Sequence, residues 1–309
     1  MAQDESLTEI FNIKRGPSQN ERAGYVAIVG GGLMGRGIAE CAATAGIDVL
    51  IIERDDETAE RCRQKLSEML DLEIERWALT KSEKRSILSR TKLSTVVTDV
   101  ADCDLVIEAI EEDFASKKII FRDLDKICPP ETVFISNTAT LSLTKLAEAT
   151  TRPDKIIGMH FLNPVSRVPL VEIVRALKTS DETFVRTKKF AEDLGKTVVE
   201  VFEYPGFVTT RVILPLLNEA MQVLLEGIAT ADGIDTAIKL GYGLNLGPLE
   251  MADSMGLDEV LTWLDTLYHE LGSPQYRASP ILRRKVREGR LGKKTGEGFF
   301  KYDDSGKKI

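Results

Sequence analysis

Histidine is scarce: His160 and His269 are the only two in 309 residues. A zinc site would have to draw on scattered cysteines and carboxylates, so no metal centre is expected. The four cysteines, Cys41, Cys62, Cys103 and Cys128, show neither paired metal-site spacing nor the density of a disulfide framework. They read as reduced thiols in a cytoplasmic protein. No apolar run reaches the length of a membrane span, so no membrane partner is expected. Positive charge does not dominate either. There are 41 Lys and Arg against 49 Asp and Glu, a net charge of −8, which argues against nucleic acid as a main partner. The first 23 residues mix acids and bases without an apolar core, so 1–23 reads as a polar lead-in and not as a signal or transit peptide.

What remains is an ordinary globular composition, 43% apolar and 29% charged, with length for two domains at roughly 150 residues each. Short β-branched runs alternate with helical periods. Tyr25 to Val29, IDVLIIERD, LVIEAI, TVFISN, KIIGMHF, LVEIV and TVVEV read as strands, and long amphipathic helices follow Asp55 and begin at Phe114. This alternation predicts an α/β domain with a doubly wound, mostly parallel sheet over 24–203. Beyond EYPGF the pattern is helical only, over about 208–227, 230–239, 247–270 and 278–288, so 204–309 reads as an all-α C-terminal domain. From Ile281 to Lys301 the chain carries eight Lys and Arg against two Glu, either a solvated face or a positive surface for phosphates.

Gly30, Gly32 and Gly35 form G-x-G-x-x-G between the first strand and an Ala-rich helix. Gly30 permits the tight turn, Gly32 the approach of a pyrophosphate, and Gly35 close packing of helix on strand. The helix N-terminus then offers free N–H groups and partial positive charge. Glu53 lies 18 residues after Gly35, where an acid bonds ribose hydroxyls and repels a 2′-phosphate, so NAD is the expected cofactor despite neighbouring Arg54. In open parallel sheets ligands sit outside the carboxyl ends of strands. That rule selects Glu112, the run Ser136-Asn137-Thr138, and His160. Alcohol oxidation with nicotinamide needs a base, and histidine suits it near neutral pH. Glu172, 12 residues on, could return on the next strand to hold the far ring nitrogen of His160. The plainer readings are a satisfied interior histidine and a structural ion pair. His269, far from any strand end, reads as structural.

At this point GGGLMGRGIAE, SNTATLSLTKLAEATTRPDKIIGMHFLNPV, VPLVEIV, PGFVTTRVILPLLNEA, GIDTAIKLG, GPLEMADSMGLD and GRLGKKTGEGFFKYD carry a resemblance. Together they resemble the 3-hydroxyacyl-CoA dehydrogenase family, close to its short 3-hydroxybutyryl-CoA type, over residues 24 to 303. The resemblance implies a Rossmann-type domain followed by a helical dimerisation domain, and NAD-dependent oxidation of (S)-3-hydroxyacyl-CoA. It implies His160 as catalytic base with Glu172 as its partner, and Thr210 at a position that is usually asparagine. Leu33 and Met34 join the loop glycines around the cofactor, as do Glu112, Lys117, Asn137 and Lys294. Asn137, Ala139 and Arg76 match positions on the substrate side, and Ala139 stands where the family usually has serine. Thr140 could supply the hydroxyl that Ala139 lacks. An acyl-CoA substrate and a homodimer follow, the latter also from apolar helices such as RVILPLLNEAMQVLLEG. Two other readings stay open: the same chemistry on a free 3-hydroxy acid, and a nucleotide-binding protein without catalysis.

Overall fold

The computed structural model describes residues 25–303 and 305–309, so the lead-in read over 1–23 lies outside the described residues. The chain alternates as the periodicity predicts: β1 (Val26–Val29), α1 (Leu33–Thr44), β2 (Val49–Ile52), α2 (Asp56–Glu75), α3 (Lys81–Arg90), β3 (Thr91–Ser94), β4 (Leu105–Glu108), α4 (Phe114–Ile127), β5 (Val133–Ser136), α5 (Leu143–Ala147), β6 (Ile156–Phe161), β7 (Leu170–Arg175), α6 (Asp181–Asp193) and β8 (Thr197–Phe202). Among the described residues the strands form one sheet in the order β3-β2-β1-β4-β5-β6-β7-β8, parallel throughout except where β6 meets β7. A row of isoleucines crosses it in register: Ile51, Ile28, Ile107, Ile135 and Ile157, all fully buried. β-Branched side chains suit the pleated surface, and burying each contributes about 1.5–3 kcal/mol. Alternate residues of β1 face opposite layers. Val26 and Ile28 pack with α1, whereas Ala27 and Val29 pack with α4. Both faces are therefore covered, and the crevice opens only at the strand ends.

Asp55 caps α2 reciprocally with Thr58, as the sequence suggests. The strand β3 and the helix α3 were not legible, because KSEKRSILSRTKLS is polar and Ile87 is the one buried residue of that helix.

The helical half has its own core. It comprises α7 (Thr209–Leu225), α8 (Ala231–Tyr242), α9 (Pro248–Met255), α10 (Leu257–Leu271) and α11 (Pro280–Arg287), packed around Leu214, Leu217, Met221, Leu249, Leu257 and Leu264. The single helix read over 247–270 is in fact two, because Gly256 takes φ +98°, a conformation that ends α9. The helical reading of this half holds, with a short C-terminal turn added to it. Isolated β-bridges join Gly292 to Glu297, Glu297 to Lys301 and Tyr302 to Lys308.

Candidate active site

The glycine loop is built as the motif requires. Gly30 has φ +101°, and a Cβ there would lie 2.8 Å from the Ala109 carbonyl oxygen. A Cβ on Gly35 would lie 1.9 Å from the Gly30 oxygen, so α1 can sit this close to β1 only with glycine. Gly32 differs: its φ of −63° is open to any residue, and a Cβ there would meet nothing within 4 Å. The open space over Gly32 is the cradle that a pyrophosphate would fill. As N-cap of α1 it brings no side chain to the free N–H groups, and Leu33 is exposed beside it while Met34 is half-buried. Gly31, which sequence reasoning passed over, fixes the acid: its N–H donates to Glu53 Oε1 at 2.8 Å. A Cβ there would strike Cys62 Sγ at 2.3 Å. Burial pushes the Cys62 thiol up to about 11, so it packs as a neutral group behind the loop. Glu53 follows the last residue of β2, at the edge where a ribose would lie, and Arg54 turns away to Asp55. These residues fit NAD.

His160 and Glu172 are directly opposed across the antiparallel β6–β7 pair, which explains their 12-residue spacing. His160 Nδ1 lies 2.7 Å from Glu172 Oε2, and both side chains are buried. Glu172 is saturated with donors. Its Oε1 accepts from the N–H groups of Val208 at 3.0 Å and Thr209 at 2.8 Å, and its Oε2 from the Thr209 hydroxyl at 2.7 Å. Burial alone pushes this carboxyl up, but the bonds from His160 and Thr209 outweigh it and hold the group below the ordinary carboxylate range. A charged carboxylate only accepts, so Nδ1 carries the proton and Nε2 is left as the basic ring nitrogen. The Phe207 ring packs against the imidazole, with centroids 5.6 Å apart. The junction between the halves thus folds back onto the histidine, through Gly206 at φ +81° and Phe207 at φ +50°.

A second carboxylate network shapes the floor. Glu108 ends β4, fully buried, with Lys117 Nζ at 2.6 Å on Oε1 and the Ser136 hydroxyl at 2.6 Å on Oε2. Burial pushes Glu108 up, against the pull of Lys117, Ser136 and the Ile110 N–H. Lys117 also lies 3.3 Å from Glu112 Oε2. Glu112 Oε1 in turn accepts from the N–H groups of Ala139 at 2.9 Å and Thr140 at 3.0 Å and from the hydroxyls of Thr138 and Thr140. Lys117 is fully buried between Glu108 and Glu112, and Glu112 is the acid that holds this loop. Glu108 was missed, although an acid inside LVIEAI with a lysine nine residues on is a signal for a buried pair.

The other sequence candidates fall as follows. Asn137 follows β5, and its Oδ1 accepts from the Phe161 N–H at 3.2 Å, tying the loop to the strand that carries His160. Ala139 is buried against Glu112 through its backbone, and the Thr140 hydroxyl donates to Glu112 Oε1 at 3.2 Å. Thr210 is buried in the first turn of α7, but Thr209 is the residue whose hydroxyl reaches Glu172. Lys294 comes from the helical half and pairs with Asp258 at 2.6 Å, in the same charge field as Glu259 and Glu112. Arg76 sits at the end of α2, 3.1 Å from Glu73, which Arg167 of the β6–β7 loop also bonds. His269 is exposed in the last turn of α10. Among the described residues no group of three or more His, Cys, Asp or Glu could hold a metal ion.

A phosphate cradle at one strand end and a carboxylate-held imidazole at another, on the same edge of a doubly wound sheet, define a dinucleotide-dependent oxidoreductase. The 3-hydroxyacyl-CoA dehydrogenase NAD binding domain profile matches residues 25–204, and the C-terminal domain profile of that family matches residues 206–302. A probable 3-hydroxybutyryl-CoA dehydrogenase of Bacillus subtilis is 43% identical over 279 residues, covering 90% of this chain and 97% of that protein. The 3-hydroxybutyryl-CoA dehydrogenase of Clostridioides difficile is 40% identical, covering 90% of this chain and 99% of that one. The crystal structure of an (S)-3-hydroxybutyryl-CoA dehydrogenase from Ralstonia eutropha superposes with a TM-score of 0.83 at 40% identity, covering 91% of this chain and 99% of that one. The chain belongs to the 3-hydroxyacyl-CoA dehydrogenase family, and NAD is its cofactor.

Proposed function

We propose that this protein oxidises (S)-3-hydroxyacyl-CoA to 3-oxoacyl-CoA, with short acyl chains such as 3-hydroxybutyryl as substrates. The observation that carries this reading is the buried His160–Glu172 pair on the cofactor edge of the sheet. Bound NAD supplies the hydride acceptor. His160 Nε2 takes the hydroxyl proton of the substrate, a contribution typically of about 10²–10⁴-fold. Glu172 holds the Nδ1 proton and stabilises the imidazolium, and Thr209 with two backbone N–H groups keeps that carboxylate in place. The Gly30–Gly35 loop and the N-terminus of α1 would hold the pyrophosphate, and Glu53 the ribose. Lys117 and Glu112 set the 138–140 loop, where Asn137 and Ala139 border the substrate. On this reading Thr210, buried in the first turn of α7, and Lys294 contribute from the helical half. Arg76, an exposed cation at the end of α2, fits the phosphates of CoA.

The experiment is NADH formation with (S)-3-hydroxybutyryl-CoA, its longer homologues and free 3-hydroxybutyrate. Turnover of the thioesters and not of the free acid is expected; turnover of the free acid alone overturns the acyl-CoA assignment. A homodimer is part of the reading. Val208, Val212 and Leu216 recur every four residues along an exposed stripe at α7, and Ile228, Leu240 and Tyr242 are exposed in the same half. A monomer in sedimentation at micromolar concentration would reject it. Four free, buried thiols support a reducing compartment, the cytoplasm.

A further inference from the structure

The basic run from Ile281 to Lys301 is only partly absorbed by the site above. Lys294 pairs with Asp258, Lys293 with Glu250, and Arg290 with Glu288 and Glu297, while Lys285 donates to the Gly298 carbonyl. Arg283 and Arg287 point elsewhere. With Arg277 they line a cavity of about 760 Å³ in the helical half, whose wall includes Gln222 and Ser279. Arg283 forks onto both oxygens of Asp265. Arg277 and Arg287 have no carboxylate partner among the described residues. In a chain of net charge −8, two unpaired guanidiniums beside a third that Asp265 pairs give a single cleft a positive field.

The cleft is built as well as charged. Asn218 of α7 accepts from the Ser279 N–H at 2.9 Å and donates to the carbonyls of Gln275 and Arg277, which fixes the backbone carrying Arg277. The Ser279 hydroxyl bonds Gln222 Oε1 at 2.9 Å, and Leu261 and Val286 supply an apolar wall. Planar guanidinium forks match phosphate oxygens in pairs, and a void of this size suits a small organic ligand. Thr209, which holds Glu172, and Gln222 lie 13 positions apart on α7, about 20 Å at 1.5 Å per residue, so the cleft is not the dinucleotide crevice. We propose that this arginine-lined cleft is a second ligand site, taking a small molecule with a diphosphate group and an organic body, of the nucleoside diphosphate class.

The test is calorimetric titration of the full chain, saturated with NAD so that the first site is filled, with inorganic pyrophosphate and separately with ADP. Pyrophosphate should bind, ADP should bind more tightly, and Arg277→Gln/Arg287→Gln should weaken both at least tenfold while NADH formation without added ligand is unchanged. The single variants, each with a smaller loss, serve if the double variant does not fold. Equal pyrophosphate binding by wild type and variant, or none by either, overturns the site. ADP binding no tighter than pyrophosphate overturns the organic body. A double variant that changes the sedimentation of the protein and leaves pyrophosphate binding alone makes the cleft a contact between copies, and the proposal falls.

Discussion

In the sheet-bearing half, Glu172 is buried and accepts from His160, the Thr209 hydroxyl and two backbone N–H groups. In the helical half, Asp253 is equally buried and accepts from the N–H groups of Phe299 and Phe300, at 2.8 and 2.9 Å, and from the Tyr302 hydroxyl at 2.9 Å. Burial opposes charge in both. Glu172 nevertheless stays below the ordinary carboxylate range, whereas Asp253 is pushed above it. The difference lies in the partners. Glu172 faces an imidazole that can take up a proton, and it collects a side-chain and a backbone bond from one threonine. Asp253 faces a phenol whose own titration burial has pushed up, out of reach. The first carboxylate is a charged brace for a proton acceptor; the second staples the C-terminal turn to α9.

The largest effect expected from that contrast is at the proposed base. His160→Ala should lower kcat/KM for (S)-3-hydroxybutyryl-CoA by about 10²–10⁴-fold while NAD affinity, read by calorimetry, is retained. Glu172→Gln keeps the shape and removes the charge, and kcat should fall by about 10²-fold. Its pH signature has a definite sign. Because the folded-state value lies below that of the unfolded chain, the stability it contributes is complete above the ordinary glutamate value of about 4.3 and drains as pH falls through the lowered one. Denaturant unfolding of wild type and Glu172→Gln should therefore converge on acidification. Asp253→Ala should show the reverse emphasis. Unpairing two N–H groups and a hydroxyl costs about 2–4 kcal/mol of stability, while kcat at a temperature where the protein stays folded changes by only a few-fold. A large loss of turnover with stability intact would erase the distinction between the two acids. Thr209→Val, removing one hydroxyl bond to Glu172, should cost about 1 kcal/mol, or five- to tenfold in kcat.

The same two regions differ in how far the chain alone disclosed them. The glycine loop was legible because Gly30 and Gly35 answer local steric demands, while Gly32 keeps the space over the helix N-terminus open. The His160–Glu172 pairing was legible because a strand, a short loop and a return strand fix which residues meet. Choosing Thr209 over Thr210 was not, since it depends on the turn set by Gly206 and Phe207, and φ +50° at a phenylalanine has no sequence signature. The hold of Glu112 on the 138–140 loop was equally hidden, because it links two strand ends 26 to 28 residues apart. In the helical half the break at Gly256 lay inside a continuous apolar period, and Asp253 reaches 46 to 49 residues ahead to partners that no local pattern announces. Local geometry was readable; side chains recruited across the fold were not.

The central claim is that Glu172 acts on the reaction only through the imidazole. A double-mutant cycle on kcat tests it, with His160→Ala, Glu172→Gln and the two combined. Once His160 is gone, the second substitution should cost no more than about two- to threefold. Losses that multiply in full would show Glu172 working independently of His160, and the account would be wrong.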